Sequence, residues 1–303
     1  LIDYVKIFVD SVDVERLCNL SYLDFRVSFN TITNEVSNKS VAEHHFCKIT
    51  IYDSGIVLFT GSIHKMYNSL NNIIAPNYKN DESYKGFNGN QFSLINILEV
   101  RSYLLKLFDC QPQQLEFKNI EFGINTEVFF NPNLFIRGLL YHNGKQFEYR
   151  YHNNYSQAVH QQFIIKIYNK GSQYEMEKNT LRFELKYRKM IQVNRLGIKT
   201  FADINTATLD NVKNELLRRF DEVVYYDYTI SKNSLSKTLK NKTSKYSNPR
   251  YWLVDLVANH RYREKLNLKE MIINHADNLH KQIRQEIIKK CVIINRVLES
   301  VNV

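Results

Sequence analysis

Glycine, proline and cysteine are scarce in this 303-residue chain: 9 Gly, 4 Pro and 4 Cys. So few glycines and prolines leave little room for long flexible linkers, and a chain of this length need not be a disordered adaptor. The cysteines Cys18, Cys47, Cys110 and Cys291 are isolated among apolar neighbours. They offer no close pair for a zinc knuckle or a redox motif, so buried thiols in a reducing compartment are expected. No run reaches the roughly 18 apolar residues of a membrane span, and the first residues show neither a basic stretch nor a small-residue cleavage site. A soluble, cytoplasmic protein without a membrane partner is the expectation. Acidic residues vanish over residues 231–250, where Lys232, Lys237, Lys240, Lys242, Lys245 and Arg250 are the only charges.

What the chain does have is apolar and aromatic bulk: 44% hydrophobic and 13% aromatic residues, with 20 Tyr and 18 Phe. That composition belongs to a folded, strand-rich protein long enough to bury a core. Lys+Arg 41 against Asp+Glu 31 gives a net charge of +10. Such a surplus favours a polyanionic partner, either nucleic acid or an anionic membrane surface.

Residues 3–9 and 23–29 alternate as strands do. Residues 46–52 and 56–61 flank Asp53-Ser54-Gly55, whose glycine can take positive φ, so they predict a hairpin. Residues 68–85 read as a loop. Leu94, Ile97, Leu98, Leu104, Leu105 and Phe108 recur at helical spacing and predict a helix over one face of a sheet. Strand patterns return at 115–125, at 141–151 with 162–169 as a second hairpin, and at 181–190. An α+β domain, an antiparallel sheet with packed helices, is expected over residues 1–205.

After Gly197 the period changes. Leu209, Val212, Leu216, Phe220 and Val223 mark an amphipathic helix with Arg218 and Arg219 toward its exposed side. Trp252, Leu253, Leu256 and Val257 start another helix, and residues 266–297 hold one or two more. Residues 206–303 therefore read as a helical, basic appendage. Within it, 231–250 is either a solvated surface or a run of backbone-phosphate contacts through Lys237, Lys240, Lys242, Lys245 and Arg250.

Two alternations place Lys166, Tyr168 and Lys170 on one strand face and Arg182, Glu184 and Lys186 on another. A tyrosine, a carboxylate and several cations on one surface suit metal-assisted attack on a phosphodiester; a polar strand face against solvent is the competing reading. Glu121, Gly123 and Asn125 share a face opposite Ile120, Phe122 and Ile124. Carboxylate and amide oxygens so spaced suit Mg²⁺ or Mn²⁺, and equally the polar outer face of an edge strand. Glu184, bracketed by Arg182 and Lys186, reads as a metal ligand or as a cross-strand ion-pair partner. His44 and His45 are the adjacent histidine pair; on a strand they point to opposite faces, so at most one faces any site. His64 is a further candidate, whereas His142, His152 and His160 lie in loop-like sequence without ligand spacing. Tyrosine is too common for residue type to single out Tyr168, with Tyr149, Tyr151 and Tyr155 close by. A phenol, with a reference pKa of about 10, needs cations or a metal to attack as phenolate.

Taken in order, Ile2-Asp3-Tyr4-Val5, Asn119-Ile120-Glu121-Phe122, Ile167-Tyr168-Asn169-Lys170, Arg182-Phe183-Glu184, Leu196-Gly197 and Phe201-Ala202-Asp203-Ile204 form a pattern. Over roughly residues 1–205 it resembles the filamentous-phage gene II/X family of rolling-circle replication initiators, relatives of plasmid replication initiation factors. Tyr168 and Lys170 fall where that family has its nucleophilic tyrosine followed two residues later by lysine. Glu121 stands in place of the family's aspartate, and the histidine-hydrophobic-histidine motif of many nicking enzymes is missing. Some related plasmid initiators place the nucleophile in an earlier strand before a Gly-Ser-Arg turn. The corresponding region here is Phe147-Glu148-Tyr149-Arg150-Tyr151 without that turn, so Tyr149 is the reserve nucleophile.

The resemblance implies a Rep-type nicking endonuclease domain at 1–205; a duplex-binding role for 206–303 is expected from its charge and helicity alone. It implies a metal-dependent enzyme that nicks one strand of origin DNA through a 5′-phosphotyrosine intermediate, leaves a 3′ hydroxyl for extension, and later rejoins strands. Tyr168 would attack. Lys170, Arg182 and Lys186 would hold the diester, and Glu121, Glu184 and Asn125, with His44 or His45, would bind Mg²⁺ or Mn²⁺. Origin DNA, double- and single-stranded, would be the partner, with a host helicase and polymerase alongside. The alternative is a non-catalytic DNA-binding protein that retains the initiator fold; a third reading is a single-strand RNA binder with aromatics stacked on bases.

Overall fold

The computed structural model describes residues 1–30, 34–75 and 86–295. The chain runs through β1 (Ile2–Val9), α1 (Val14–Cys18), β2 (Arg26–Asn30), β3 (Glu35–His44), β4 (Cys47–Tyr52), β5 (Val57–Ser62), α2 (Ile63–Leu70), α3 (Leu94–Phe108) and β6 (Leu115–Glu127). It continues with α4 (Asn133–Ile136), β7 (Leu139–His142), β8 (Lys145–Gln146), β9 (Glu148–Arg150), β10 (Tyr155–Val159), β11 (Phe163–Asn169), α5 (Lys170–Gln173) and β12 (Thr180–Tyr187). The rest is α6 (Ile191–Arg195), α7 (Thr206–Asp221), β13 (Val223–Tyr225), α8 (Lys237–Tyr246), α9 (Ala258–His275) and α10 (Leu279–Asn295). This is a mixed α+β fold with antiparallel pairing and C-terminal helices. Among the described residues no helix is long and apolar enough to cross a membrane.

Two compact units divide the chain. The first holds Leu1–Gly123, Leu185–Lys213 and the residues from Cys291; the second holds Ile124–Glu184 and Asn214–Lys290. The division falls inside β6, β12, α7 and α10, and does not coincide with a boundary at 205.

In the first unit the strands stand in the order β2-β3-β4-β5-β1-β6, with β1 antiparallel to both β5 and β6. The expected hairpin of β4 and β5 forms, in register from Ile51↔Val57 to Cys47↔Gly61. Gly55 turns it at a φ of +80°, where a Cβ would be strained. The helix predicted over 94–108 is α3, opened by Ser93 and Asn96, whose side chains bond each other's backbone N–H. Its Ile97, Val100, Leu104 and Phe108 are buried, and Phe108 meets Phe59 edge-on at 6.2 Å between ring centres. The segment read as a loop over 68–85 begins inside α2, which Ser62 caps by accepting from the Lys65 N–H; residues 76–85 lie outside the described residues. Cys47 and Cys291 are buried as expected, but Cys18 is exposed, at the last position of the short α1.

In the second unit β12, β11, β10 and β9 are neighbours in that order, and β13, β7 and β8 form a three-stranded sheet. The sequence predicts a hairpin of 141–151 with 162–169; the structure pairs β11 with β10 instead, from Tyr155↔Tyr168 to Val159↔Ile164. Hydropathy hides β10 because Ser156 and Gln157 are buried polar residues. Both are satisfied by Glu148, through its backbone oxygen at 3.3 Å and its carboxylate at 3.1 Å. Arg219 also departs from its expected exposed place on α7. It is buried, with its guanidinium 4.2 Å from the Phe163 ring centre and paired to Glu215 at 2.8 Å. Phe220 packs on Phe183 at 5.3 Å and stacks on His280 at 4.3 Å, which ties α7 to β12 and α10. A π-helical turn over Tyr251–Asp255 precedes α9, and residues 296–297 lie outside the described residues.

Gly138 shows how tightly this unit closes. Its carbonyl accepts from Tyr226 N at 2.8 Å, and a Cβ there would meet the Tyr226 carbonyl oxygen at 2.1 Å. Gly138→Ala is expected to destabilise the protein by about 1–3 kcal/mol, as overpacking does. Thermal unfolding checks this: an unchanged midpoint would show that the two backbones are not in contact.

Candidate active site

Lys166 and Tyr168 are two residues apart on β11 and so share a face. From that face the Lys166 ammonium reaches Glu184 Oε2 on β12 at 3.4 Å. Arg182, two residues before Glu184, donates from Nε to Glu184 Oε1 at 2.6 Å and from Nη1 to Asn125 Oδ1 on β6 at 2.8 Å. Glu184 is 3% exposed and Arg182 2%. Tyr168 is half-buried, its ring 5.5 Å from that of Tyr155 on the paired strand.

Lys170 reaches the same place by a different route from the one its alternation predicts. Asn169 caps α5 by accepting from Ser172 N, so Lys170 opens a helical turn and is not a strand residue. Its ammonium, 1% exposed, lies 5.5 Å from the Tyr168 ring centre and 4.8 Å from that of Tyr174. Positive charge is thereby held against two phenol rings.

The reserve tyrosine is placed differently. The Tyr149 hydroxyl donates to the backbone oxygen of Leu139, and burial pushes its pKa upward. In the first unit, Lys186 Nζ is bound to Glu121 Oε1 at 2.6 Å and lies 4.9 Å from the Tyr4 ring centre. Burial and then the Glu121 charge push the Tyr4 hydroxyl up. Asp3 is buried and accepts from Ser62 Oγ and from Asn88 Nδ2. His64 is also buried; it bonds Asn90 at 2.7 Å and stacks on Phe92 at 4.5 Å.

His44 and His45 do not point to opposite faces. β3 ends at His44, and His45 with Phe46, both at positive φ, form the two-residue turn into β4. Their rings therefore meet at 4.5 Å, and His44 Nε2 bonds the Tyr103 hydroxyl at 2.5 Å. β3 stands four strands from β6, about 19 Å at the usual strand spacing. The two histidines are thus not brought to Glu121.

His142 and His160 are brought together, contrary to their unrelated spacing. His142 is fully buried; its Nε2 faces Glu222 Oε2 at 3.0 Å and its Nδ1 faces His160 Nε2 at 2.8 Å. A carboxylate only accepts, so neutral His142 donates to Glu222 and accepts from His160. The contact arises because β7 and the turn between β10 and β11 meet, which no local pattern reveals. The His142 nitrogens face different partners, so the three groups do not converge on one point. Among the described residues no three His, Cys, Asp or Glu side chains gather as a metal site.

The oxygens of Glu184, Asn125 and Glu121 are the hard donors that Mg²⁺ or Mn²⁺ takes. Here Arg182 and Lys166 occupy both Glu184 oxygens, Arg182 holds Asn125, and Lys186 holds Glu121. These oxygens are therefore held by cations that a divalent ion would have to displace.

Of the basic residues over 231–250, Lys237, Lys240 and Lys245 are exposed on α8. Lys242 turns back to Glu264 at 3.6 Å, and Arg250 lies 3.6 Å from Asp255. No protein-family model and no curated protein matches the chain.

Two measurements follow from these contacts. Glu184→Gln leaves buried cations without their charge partner and is expected to cost about 3–5 kcal/mol in urea unfolding. Arg182→Gln added to it should cost much less than the two single losses together; strict additivity would show that the pair is not coupled. Separately, burial and then His45 bring His44 down to about 4, and burial and then His160 do the same for His142. Both are depressed below the unfolded value of about 6.5, so the unfolded chain binds more protons between these limits. The melting temperature should hold above pH 7 and fall as pH drops from about 6.5 toward 4; a constant value from pH 7.5 to 5 would contradict the neutral, buried state of both rings.

Proposed function

We propose that the chain nicks one strand of origin DNA and rejoins it, with Tyr168 as the nucleophile. What supports this reading is one strand face in the second unit that carries Tyr168 and Lys166 toward Glu184 and Arg182, with the Lys170 ammonium at the Tyr168 ring. The order of motifs shared with rolling-circle initiators agrees with it. In the forward step the Tyr168 oxygen attacks phosphorus and gives its proton to water. An O–P bond forms, the P–O3′ bond breaks, and the departing 3′ oxygen takes up a proton. The 5′ end remains on Tyr168, and attack by a 3′ hydroxyl reverses the step and releases the tyrosine. Arg182 and Lys166 supply positive charge for the non-bridging oxygens as charge builds on phosphorus.

Mg²⁺ or Mn²⁺ would enter by displacing Arg182 from Glu184 or Lys186 from Glu121; none of these steps draws on it. The 3′ hydroxyl left behind is what a host polymerase would extend and a helicase would expose. A second reading, a non-catalytic DNA-binding protein, is favoured by depth: Lys170, Arg182 and Glu184 are almost closed to solvent, as a structural ion cluster would be.

A labelled single strand carrying the origin of the chain's own replicon separates the two. With Mn²⁺ present, the wild-type chain is expected to form a covalent adduct that mass spectrometry maps to Tyr168. Tyr168→Phe should reduce the adduct to background while binding persists, and Tyr149→Phe should leave it intact. An adduct on Tyr149 moves the nucleophile to β9; no adduct from folded protein and verified origin DNA leaves the non-catalytic reading.

A further inference from the structure

α8 is ten residues long, about 15 Å, and opens at Ser236, which caps it by accepting from Leu239 N. No acidic residue occurs between Asp227 and Asp255. Successive residues turn by about 100°, so Lys237, Asn241 and Ser244 fall along one line of the helix, with Lys240 on one flank and Lys245 on the other. All five are exposed. The opposite face is held down. Tyr246 is buried, its hydroxyl donates to Glu264 Oε2 at 2.6 Å, and its backbone oxygen accepts from Trp252 Nε1 at 2.9 Å. Tyr246 and Trp252 rings stand 5.4 Å apart. Lys242 belongs to this inner side, 3.6 Å from Glu264 and 5.7 Å from the Tyr246 ring centre.

From this arrangement we infer that α8 enters the major groove of duplex DNA, with Asn241 and Ser244 reading base edges and Lys237, Lys240 and Lys245 binding phosphates. The inference rests on the DNA reading above. A helix fits the major groove, which is about 12 Å wide and the one that distinguishes all four base pairs. Lysines on both flanks reach the two phosphate backbones that border it, and the short amide and hydroxyl on the central line face its floor. Asn pairs with the adenine edge through two hydrogen bonds, and Ser serves either partner. Carboxylates, which phosphates would repel, are missing from this face. Single strands and RNA fit it less well, because the exposed face carries no aromatic ring on which a base could stack.

The test uses the full chain carrying Tyr168→Phe, so that cleavage plays no part and the loss of nicking cannot be mistaken for the loss of binding. Random-sequence duplex DNA is selected by this protein and by the same chain with Asn241→Ala or Ser244→Ala. The parent should yield a preferred sequence, and each variant should lose preference at one or two neighbouring base pairs, with affinity for the parent's sequence down roughly 5- to 150-fold. Lys237→Gln, Lys240→Gln and Lys245→Gln together should flatten the slope of log affinity against log salt by about 2 to 3 units on every sequence. Lys242→Gln should leave that slope unchanged. The same preferred sequence from parent, Asn241→Ala and Ser244→Ala overturns the inference, and so does an unaltered salt slope in the triple variant. Tighter binding of the parent to single strands or RNA than to duplex overturns it as well. All the substituted side chains are exposed apart from Lys242, so a melting temperature close to the parent's confirms that each variant tested is folded.

Discussion

A carboxylate inside a sheet has to be matched in charge and in hydrogen bonds, and in the second unit that carboxylate is Glu184. Taking it from water costs several kcal/mol unless partners surround it. Arg182 stands two residues before it on the same face, and Lys166 reaches it from the adjoining strand. Arg182 in turn needs acceptors for its remaining donors and finds Asn125. Each demand fixes the next. Because side chains alternate along a strand, a one-residue slip of β11 would turn Lys166 away from Glu184 and carry Tyr168 to the opposite face. The register that solves the electrostatic problem is therefore the register that positions the phenol.

A buried ion cluster is a poor source of stability compared with a well-packed apolar one of the same volume. Lys166 brings that cluster into a strand otherwise built from Phe163, Ile164, Ile165 and Ile167, which calls for a reason beyond stability. The nicking centre proposed above would supply one. The guanidinium of Arg182 stays charged at every working pH, so such a centre would keep its positive potential whether or not the histidines elsewhere have titrated.

Periodicity was legible wherever one face of an element is simply apolar. β1, α3 and the β4–β5 hairpin stand where alternation and helical spacing predict them. It failed where polar groups are buried. β10 looked like loop because Ser156 and Gln157 hide in the sheet with Glu148 as their partner. Arg219 looked exposed because arginine usually is, yet Glu215 and the Phe163 ring hold it inside. For the candidate site, Lys166, Tyr168, Arg182 and Glu184 could be grouped from spacing, since two-residue spacing on a strand fixes a common face. Which partner each would choose could not be so derived: oxygens that suit a divalent ion suit a guanidinium equally, and the cross-strand neighbour decides. Lys170 stands at the Tyr168 ring without the strand alternation that spacing predicts, because the capping by Asn169 ends the strand before it.

The basic stretch makes the same point in the opposite direction. Lys237, Lys240, Lys242 and Lys245 are equivalent in composition and contribute equally to net charge. Around the axis of α8 they are not equivalent, because Tyr246 and Trp252 fix which side of the helix faces inward. Lys242 is thereby assigned to Glu264, and the other three are left outward with Asn241 and Ser244 between them. Counting charges leads only to the expectation of a polyanionic partner. Recognition requires that polar side chains be held at a constant angle among them, and here a buried tyrosine hydroxyl and an indole N–H set that angle.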